Sequence, residues 1–403
     1  MNSSFDLVVF LSNDWSQFFR RYLFLSMAKT NINCKILCIQ RPICFFTTPF
    51  LNRRKFINHL IKKKKLIKLS PNLFIYQPIV FLHDHLAPHM PIAVKLNKKL
   101  LSYQISKKID ELGLRKNNLV SWISDPIQEE YLWLVDEKMR IYDCFDDYFA
   151  YGSHSFLKSI NRLMLRENRI LKNVDIIFTV SKELYEKKSR LNKNTYVVPN
   201  AVDTELFGMA SEQSTSIPSN LSNVPHPIIG MIGNLHQRVD FDLIRHVAVT
   251  HPEWSIVIVG NWRGANPSFI NSDLIKGLKK MTSIHWMGHQ PLEMMPNYLK
   301  AFDVCLIPYV SDDPLNISCS PLKAYEYLAT GKTIVSTNLP SVYEYSEVIR
   351  IGRNHEEFEK EIMLALEENG ELRKRRRELA GNNSWDNRAK EIFSIIEKHW
   401  CSN

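Results

Sequence analysis

The sequence has little of what marks several specialised classes of protein. Its seven cysteines are odd in number and scattered, and none forms a C-x-x-C pair, which argues against a disulfide framework and a zinc site. No stretch approaches the roughly 20 uninterrupted apolar residues of a membrane-spanning helix. The apolar run from Leu7 to Leu11 follows Asp6 and is too short for the apolar region of a signal peptide. We therefore expect a cytoplasmic protein with reduced, mostly buried thiols.

Motifs for common nucleotide cofactors are missing as well. The chain has no Walker motif and no G-x-G-x-x-G, because Gly230 and Gly233 stand without a third glycine. A nicotinamide enzyme is therefore disfavoured. Residues 83–85 (His-Asp-His) and His89 suggest a metal cluster at first sight, but no Cys or Glu accompanies them at a fixed spacing, so a surface loop is favoured there.

What the chain does have is enough length and apolar content for more than one core. It has 403 residues, of which 45% are hydrophobic and 23% charged, so we expect a soluble protein of two or three domains. Its net charge of +10 is unevenly spread. Residues 1–200 hold 32 Lys and Arg against 17 Asp and Glu, whereas the remainder holds 20 against 25. The first half is therefore the basic half.

The strongest basic segment, residues 53–68, carries eight Lys and Arg and no acidic residue. Charge alone is most simply explained by a solvated basic face. Apolar residues interleaved with the charges favour instead a helix that lies on anionic lipid headgroups, where each basic residue contributes about 1 kcal/mol. Nucleic acid is the rival partner, but no recognition motif accompanies these charges, so we expect none. A second basic cluster comprises Lys95, Lys98, Lys99, Lys107 and Lys108.

Short apolar strands alternate with helical patterns over most of the chain. This alternation predicts an α/β fold with two Rossmann-like, doubly wound, mostly parallel sheets. Residues 208–227 are rich in Ser, Asn and Pro and indicate a linker that separates a first domain (1–207) from a second (228–384). A C-terminal helix at about 385–403 is expected to pack back on the first domain. Ligands of such sheets bind at the carboxyl ends of the strands, so we expect the site in a cleft between the domains.

Residues 320–337 predict a capped helix followed by a short buried strand. Ser320 suits the N-cap, Pro321 the first helical position and Gly331 the stop. The start of such a helix offers unpaired backbone N–H groups and a positive dipole end, which bind phosphate. Lys323 and Glu326 share one helix face, so a cation could contact a diphosphate while a carboxylate accepts hydrogen bonds from ribose. The alternative is an ordinary amphipathic helix.

Several further blocks follow one another in a recognisable order. They are V-P-N-A-V-D at 198–203 with Phe207, Glu167 followed by D-I-I-F-T-V-S at 175–181, L-I-P-Y at 306–309 and residues 320–337. As a set they resemble the GT-B glycosyltransferases of group 1 (family 4-like). Residues 5–15, Y-D-C-F-D-D-Y at 142–148 and S-W-D at 384–386 fit the teichuronic acid and surface-polysaccharide members of that family. The likeness covers most of the chain and is weak between residues 40 and 115.

The resemblance implies that the second domain binds a nucleotide-diphosphate sugar. Glu326 occupies the position of the family's ribose-binding glutamate, whereas the usual glutamate eight residues earlier is replaced by Ser318. That replacement puts a retaining mechanism in doubt. Lys323 is expected to be the main cation on the diphosphate. The fold uses helix starts and side chains for this charge, so no metal ion and no cofactor are expected.

Other donor contacts are implied by position in the same family pattern. The loop after Gly233 usually supplies basic residues to the phosphates, but here Asn234 replaces the arginine and Arg238 approximates the lysine. Residues 287–290 match the loop that meets the nucleobase. The expected donor set is completed by Ser320, Leu322, Tyr309 and His289.

The first domain is expected to bind the acceptor and to supply a base. Asp146 and Asp147 follow a predicted strand at its carboxyl end, and adjacent carboxylates can raise each other's pKa, so we favour Asp146 as the base with Asp147 next. The alternative is that both cap the following loop. Asp14 could contact acceptor or sugar, and Trp15 could stack on a sugar ring or simply be buried.

We therefore predict a glycosyltransferase that moves a sugar to a lipid-linked glycan of a capsule, O-antigen or cell-wall polymer. It would act peripherally on the inner face of the plasma membrane. Two alternatives stay open at this point: a nucleotide-sugar epimerase of the same fold, and a catalytically inactive partner that only binds nucleotide sugar.

Overall fold

The structure is a computed structural model that describes residues 4–44, 66–81, 91–150 and 157–402. The chain divides into two compact units. The first comprises Met1–Val198 together with Asp386–Asn403, and the second comprises Pro199–Trp385. The boundary thus lies nine residues before the predicted end of the first domain.

The first unit contains ten strands and four helices within its described residues before the chain crosses at Val198. The strands are β1 (Asp6–Phe10), β2 (Ile36–Ile39), β3 (Ile43–Cys44), β4 (Leu66–Ser70), β5 (Leu73–Tyr76), β6 (Ile79–Val80), β7 (Leu119–Ile123), β8 (Met139–Cys144), β9 (Ile176–Thr179) and β10 (Thr195–Val197). The helices are α1 (Arg21–Thr30), α2 (Pro91–Leu112), α3 (Leu157–Asn173) and α4 (Lys182–Lys188).

An eight-stranded sheet organises this unit, in the order β10-β9-β8-β7-β1-β2-β5-β4. All neighbours are parallel except β4, which is antiparallel to β5 at the edge. The central strands are buried on both faces, as their continuous apolar runs predict. Strand order reverses between β1 and β7, which makes their carboxyl ends the switch point where doubly wound sheets bind ligands.

A buried ion pair fixes α1 to the sheet of the first unit. Arg20 Nη2 lies 2.8 Å from Asp143 Oδ1, and both side chains are fully buried. Burial lowers the pKa of Arg20 and raises the pKa of Asp143, while the attraction between the two charges opposes both shifts. Asp143 on β8 therefore faces the interior, unlike the loop that follows the strand.

The second unit contains six strands and ten helices within the described chain. The strands are β11 (Ile228–Ile232), β12 (Ser255–Val259), β13 (Ile284–Gly288), β14 (Val304–Ile307), β15 (Thr333–Thr337) and β16 (Arg350–Gly352). The helices are α5 (Thr204–Gly208), α6 (Phe241–Thr250), α7 (Pro267–Ile270), α8 (Asp273–Leu278), α9 (Met295–Ala301), α10 (Pro314–Ser318), α11 (Leu322–Thr330), α12 (Pro340–Tyr343), α13 (His355–Leu366) and α14 (Arg373–Asn382).

The sheet of the second unit has the order β13-β12-β11-β14-β15-β16, and every pair is parallel. This is the strand order of a dinucleotide-binding Rossmann sheet. Buried apolar clusters cover the sheet on two sides. The order reverses between β11 and β14, so a ligand site is expected at the carboxyl ends of these strands.

The C-terminal helix, α15 (Trp385–Ser402), returns to the first unit. The Phe5 ring lies 5.3 Å from Trp400 and 6.3 Å from Phe393, measured between ring centroids. Tyr196 Oη and His399 Nε2 are 2.8 Å apart. The start of the chain, β10 and α15 are therefore packed together.

The sequence pattern also predicts a helix from about Gln128 to Asp136, and this prediction is wrong. Residues 128–136 do not form an α-helix; a 3-10 helix at Pro126–Tyr131 replaces it. Asp125 and Gln128 form a capping box that fixes this short turn. Trp133 and Asp136 then adopt positive φ angles of 58° and 56°, which an α-helix does not tolerate.

Two other predicted segments need comment. Residues 208–227, predicted as a linker, belong to the second unit, where Ala210 and Leu221 join the buried core. Of the basic segment 53–68, residues 66–68 belong to strand β4, and the rest lies outside the described residues, as does the cluster at 83–89. Among the described helices, none is both long and apolar enough to cross a membrane.

Candidate functional site

A pocket of about 200 Å³ opens at the carboxyl ends of β11, β12 and β13 in the second unit. We call it the donor pocket. It combines strand-end loops, the first turns of α11 and two apolar side chains near α9. Its lining residues are Ile232, Gly233, Asn234, Val259, Gly260, Asn261, His289, Gln290, Leu292, Met295, Lys323 and Glu326.

Two glycines form the floor of the donor pocket because nothing larger fits. A Cβ on Gly260 would lie 1.8 Å from the carbonyl oxygen of Gly233. Gly233 itself has φ = +139°, and a Cβ there would lie 2.8 Å from Lys323 Cε. Side chains larger than hydrogen would therefore separate adjacent strand ends and push Lys323 away. The backbone is left accessible to a ligand.

Helix α11 begins beside this floor, with a start that differs from the prediction. Pro321, not Ser320, is the N-cap, and no side chain caps the helix. The Ser320 hydroxyl is buried, accepts a hydrogen bond from the Asn200 backbone N–H at 3.2 Å and lies 3.0 Å from Tyr325 Oη. Ser320 therefore fixes the loop at Asn200 and does not line the pocket. The predicted stop is confirmed, since Gly331 ends the helix at φ = 75°.

The uncapped helix start leaves donors available. Within the described chain the backbone N–H groups of Leu322 and Lys323 have no protein acceptor, as expected for the first turn of a helix. Leu322 is partly buried but does not line the pocket. Unpaired N–H groups and the positive end of the helix dipole together favour an anion at this point.

The ion pair of Lys323 and Glu326 dominates the electrostatics of the pocket. Lys323 Nζ lies 3.1 Å from Glu326 Oε2, and the side chains are only 19% and 10% exposed. Burial is the largest influence and would lower the pKa of Lys323, but the interaction with Glu326 and the influence of Tyr309 together outweigh it and raise the pKa. Lys323 is therefore a cation at neutral pH. Glu326 Oε2 has no hydrogen bond of acceptable geometry among the described groups, so it can accept one from a ligand.

Of the other residues predicted to bind the sugar donor, some line the pocket and some do not. Asn234 and His289 are exposed and line the pocket, where His289 Nδ1 lies 3.1 Å from Asn261 Nδ2. Arg238 does not line it, because its Nε donates to Asn316 Oδ1 at 2.9 Å. Tyr309 lies behind the pocket wall and is close enough to Lys323 to affect its pKa.

Sequence reasoning missed part of the lining. Gly260 and Asn261 line the pocket, whereas the sequence pattern identifies Gly260 only as the end of a strand. A usable signal exists, because β12 ends in Gly-Asn at the same edge as Gly233-Asn234 after β11. Leu292 and Met295 fit an ordinary helical pattern in the sequence, and nothing local indicates that they face a cavity. They supply the apolar surface that a nucleobase could contact.

The first unit has its own pocket at its switch point. A cavity of about 40 Å³ lies at the carboxyl ends of β1, β2 and β7, lined among others by Ser12, Gln40, Arg41 and Asp125. The predicted residues Asp14 and Trp15 do not line it. They lie in the loop directly after β1, where the Trp15 backbone N–H donates to Gln40 Oε1 at 2.8 Å.

Asp146 and Asp147 lie after β8, as predicted, but in different environments. Asp147 is 2% exposed; its Oδ2 accepts from Lys187 Nζ at 2.6 Å, and its Oδ1 from the Phe149 N–H at 3.1 Å. It therefore stabilises the turn. Asp146 is partly exposed. The adjacent Phe145 contacts Phe19, with 5.0 Å between ring centroids, so the loops after β1 and β8 lie on the same side of the sheet.

Solved structures with the same architecture are GT-B glycosyltransferases, and this chain has the GT-B fold. Sucrose-phosphate synthase from Thermosynechococcus elongatus superposes with a TM-score of 0.70 at 13% identity, over 99% of this chain and all of that one. Anabaena HepE in complex with UDP-glucose gives 0.65 at 12% identity, over 97% and 99% of the two chains.

Sequence comparison gives the family. Residues 226–381 match the model of the glycosyl transferases group 1. The Bacillus subtilis (strain 168) protein named as the teichuronic acid biosynthesis glycosyltransferase TuaH is 30% identical over 325 residues, which cover 74% of this chain and 78% of that protein. The chain belongs to the group 1 glycosyltransferases, as the order of its sequence blocks predicted, and it is therefore an enzyme that transfers glycosyl groups.

The close packing of the pocket floor can be tested by measuring the stability of glycine variants. Because the group nearest to a Cβ on Gly260 is a backbone carbonyl that cannot move aside, Gly260→Ala should destabilise the second unit by about 2 kcal/mol or more. Gly277→Ala is the matched control, since Gly277 lies in α8 with nothing within 4 Å of its added Cβ. The control should be neutral or stabilising by up to about 1 kcal/mol. Urea unfolding that gave both variants equal stability would contradict the described floor.

Proposed function

We propose that this glycosyltransferase takes its sugar from a nucleoside-diphosphate donor held in the donor pocket. The supporting observation is the position of Lys323 and Glu326 on the first turns of α11, over two glycines that expose the backbone. Lys323 would contact the diphosphate together with the unpaired N–H groups of the helix start. Glu326 would accept hydrogen bonds from ribose hydroxyls, and Leu292 and Met295 would contact the base.

Transfer breaks the bond between the anomeric carbon and the diphosphate oxygen, and the electron pair leaves with the diphosphate. Negative charge therefore develops on the leaving oxygen, where a fixed cation and helix N–H groups stabilise it most. We propose that Lys323 supplies this charge, without a metal ion. The acceptor hydroxyl forms the new bond to the anomeric carbon, and its proton passes to a base.

We propose Asp146 as that base. It is partly exposed at the carboxyl end of β8, whereas the adjacent Asp147 is buried and ion-paired with Lys187. Asp147 would then position the loop that carries Asp146. The acceptor would contact the loop of Asp14 and Trp15, which lies on the same side of the first sheet.

The proposed acceptor is a lipid-linked glycan of a surface polysaccharide. The name of the Bacillus subtilis relative supports a cell-wall polymer of the teichuronic acid class. A lipid-linked acceptor requires an enzyme that works at a membrane surface, and helix α2 has a suitable exposed face. Ile92 is 77% exposed, Leu96 49% and Tyr103 68%. The spacing of these apolar side chains places Lys95, Lys99 and Lys107 beside them on the same face.

This face supports peripheral docking on an anionic bilayer. Exposed apolar side chains flanked by lysines insert at the headgroup boundary while the charges contact lipid phosphates. We therefore propose that the enzyme docks through α2, in addition to any contribution of the basic residues 53–65, on the inner face of the plasma membrane.

The role of Lys323 is tested by turnover. Lys323→Ala should lower kcat with a UDP-sugar, or whichever nucleoside-diphosphate sugar is the donor, by about 10²- to 10³-fold, because the leaving group loses its fixed cation. Lys276→Ala, an exposed lysine of α8, is the control and should retain full activity. Thermal melting confirms that both variants are folded. A folded Lys323→Ala variant with normal kcat would refute the assignment.

The two carboxylates after β8 are distinguished by pairing kinetics with stability. Asp146→Asn should lower kcat at least about 100-fold with unchanged melting temperature and donor affinity, because only the base is lost. Asp147→Asn should lower the melting temperature, because a buried hydrogen-bonded carboxylate is lost. If Asp146→Asn transferred sugar at the wild-type rate, another group would be the base.

Membrane docking is tested with vesicles of phosphatidylglycerol and phosphatidylcholine. Ile92→Glu removes an inserted apolar side chain and adds a repelled charge, so co-sedimentation with anionic vesicles should weaken about tenfold. Ile32→Glu is the matched control, because Ile32 is 60% exposed in the same unit but lies three residues before Lys35, whose Nζ contacts the Leu112 carbonyl at the end of α2 opposite to Ile92. Equal loss in both variants, or none in either, would contradict docking through α2.

A further inference from the structure

A second cavity of the second unit lies at the edge of the sheet opposite to the donor pocket. It measures about 760 Å³ and is bounded by Pro227, Asp303 and Lys332, which immediately precede β11, β14 and β15. We call it the basic pocket. Helix α11 connects the two sites, because Lys323 and Glu326 line the donor pocket and Thr330 and Gly331 line the basic pocket.

The acidic residues of the basic pocket already have hydrogen-bond partners. Glu368 accepts two hydrogen bonds from the buried guanidinium of Arg376, at 2.6 and 2.8 Å. Asp303 Oδ2 lies 2.6 Å from His226 Nδ1 and accepts from the Ile228 N–H, also at 2.6 Å. Neither carboxylate forms an ion pair with the remaining cations of the pocket within the described residues, although Asp303 is close enough to Lys332 to raise its pKa.

Four basic side chains of the pocket have no carboxylate partner among the described residues: Lys300, Lys332, Arg373 and Arg377. Lys300 Nζ donates only to the carbonyls of Glu212 and Gln213, and Lys332 Nζ only to those of Lys300 and Phe302. Each ammonium thus keeps one N–H for a ligand. Burial lowers the pKa of Lys332; the neighbouring Cys305 and Asp303 oppose this shift, and repulsion from Arg373 and Lys300 adds to it.

The two arginines lie one turn apart on α14 and face the end of α11. A Cβ on Gly331 would lie 2.7 Å from Arg373 Cγ and 2.9 Å from Arg377 Nε, so the glycine permits their close approach. Arg377 Nη2 reaches the Thr330 carbonyl at 3.4 Å, a weak contact. The Arg373 guanidinium has no acceptor within the described part of the chain. The two arginines stabilise the negative, carbonyl end of the α11 dipole, but this role occupies only part of their hydrogen-bonding capacity.

The pocket is concave, positively charged and lined by N–H groups without acceptors among the described residues, and these properties favour a phosphate ligand. Arginine forks bind phosphate oxygens in pairs, and lysine adds a point charge. We propose that the basic pocket binds an anion that carries phosphate. Its source is either a soluble diphosphate or the phosphate headgroup of a membrane lipid. This site is separate from the donor pocket and does not depend on the proposed donor chemistry.

The test compares two double variants of the same helix. Arg373→Gln/Arg377→Gln removes two charges from the pocket. Lys374→Gln/Arg375→Gln removes two exposed charges of α14 that are not part of its lining. The donor pocket is identical in both, so its contribution cancels. Inorganic pyrophosphate is titrated calorimetrically at low salt, and retention on phosphatidylglycerol vesicles is measured in parallel.

We expect pyrophosphate to bind the Arg373/Arg377 variant at least about tenfold more weakly than the wild type and the Lys374/Arg375 control. That result supports a soluble diphosphate. A loss of vesicle retention confined to the same variant, with no effect on pyrophosphate, supports a lipid phosphate. If pyrophosphate affinity and vesicle retention were the same in the two double variants, whether both were unchanged or both were reduced equally, the proposed site would be refuted. Thermal melting verifies that each variant is folded.

Discussion

The ion pair between Lys323 and Glu326 determines most of what the second unit can do. Burial disfavours the charge of Lys323, and the adjacent Glu326 compensates for it, so that the pKa of Lys323 is raised. The cation is thereby kept on the first turns of α11. The pair is geometrically possible because Gly233 has no side chain to displace the lysine. Its position places a cation beside unpaired N–H groups, where a diphosphate is best stabilised.

The surrounding architecture serves to hold that arrangement. The parallel strands β11, β12 and β13 end side by side. The close backbone contact of Gly233 with Gly260 holds the loops after β11 and β12 together at the floor of the pocket. Ser320 and Asn200 fix the chain just before α11 through buried hydrogen bonds. Asn200 lies in the V-P-N block that marked the family in the sequence. That block therefore has a structural role at the start of the helix, apart from any contact with substrate.

Much of this could be predicted from the sequence because the signals are local. Strand and helix alternation gave two Rossmann-like sheets, and Lys323 and Glu326 follow from helix spacing. The other features depend on tertiary contacts. The Ser320 hydroxyl looked like a cap, but Asn200 and Tyr325 compete for it. Asp146 and Asp147 are adjacent and identical in type, and only the position of Lys187 separates their environments. Trp133 and Asp136 gave no local sign of positive φ.

Hydrogen–deuterium exchange with bound nucleoside diphosphates tests the central claim most directly. A panel of UDP, GDP, ADP and CDP identifies the base, and exchange is then followed with the tightest binder. The account predicts slower exchange in peptides covering Gly233 and Asn234 and in those covering Leu322 and Lys323, because these amides would donate to the diphosphate. Protection elsewhere in the chain, with exchange at both of these segments unchanged, would contradict it.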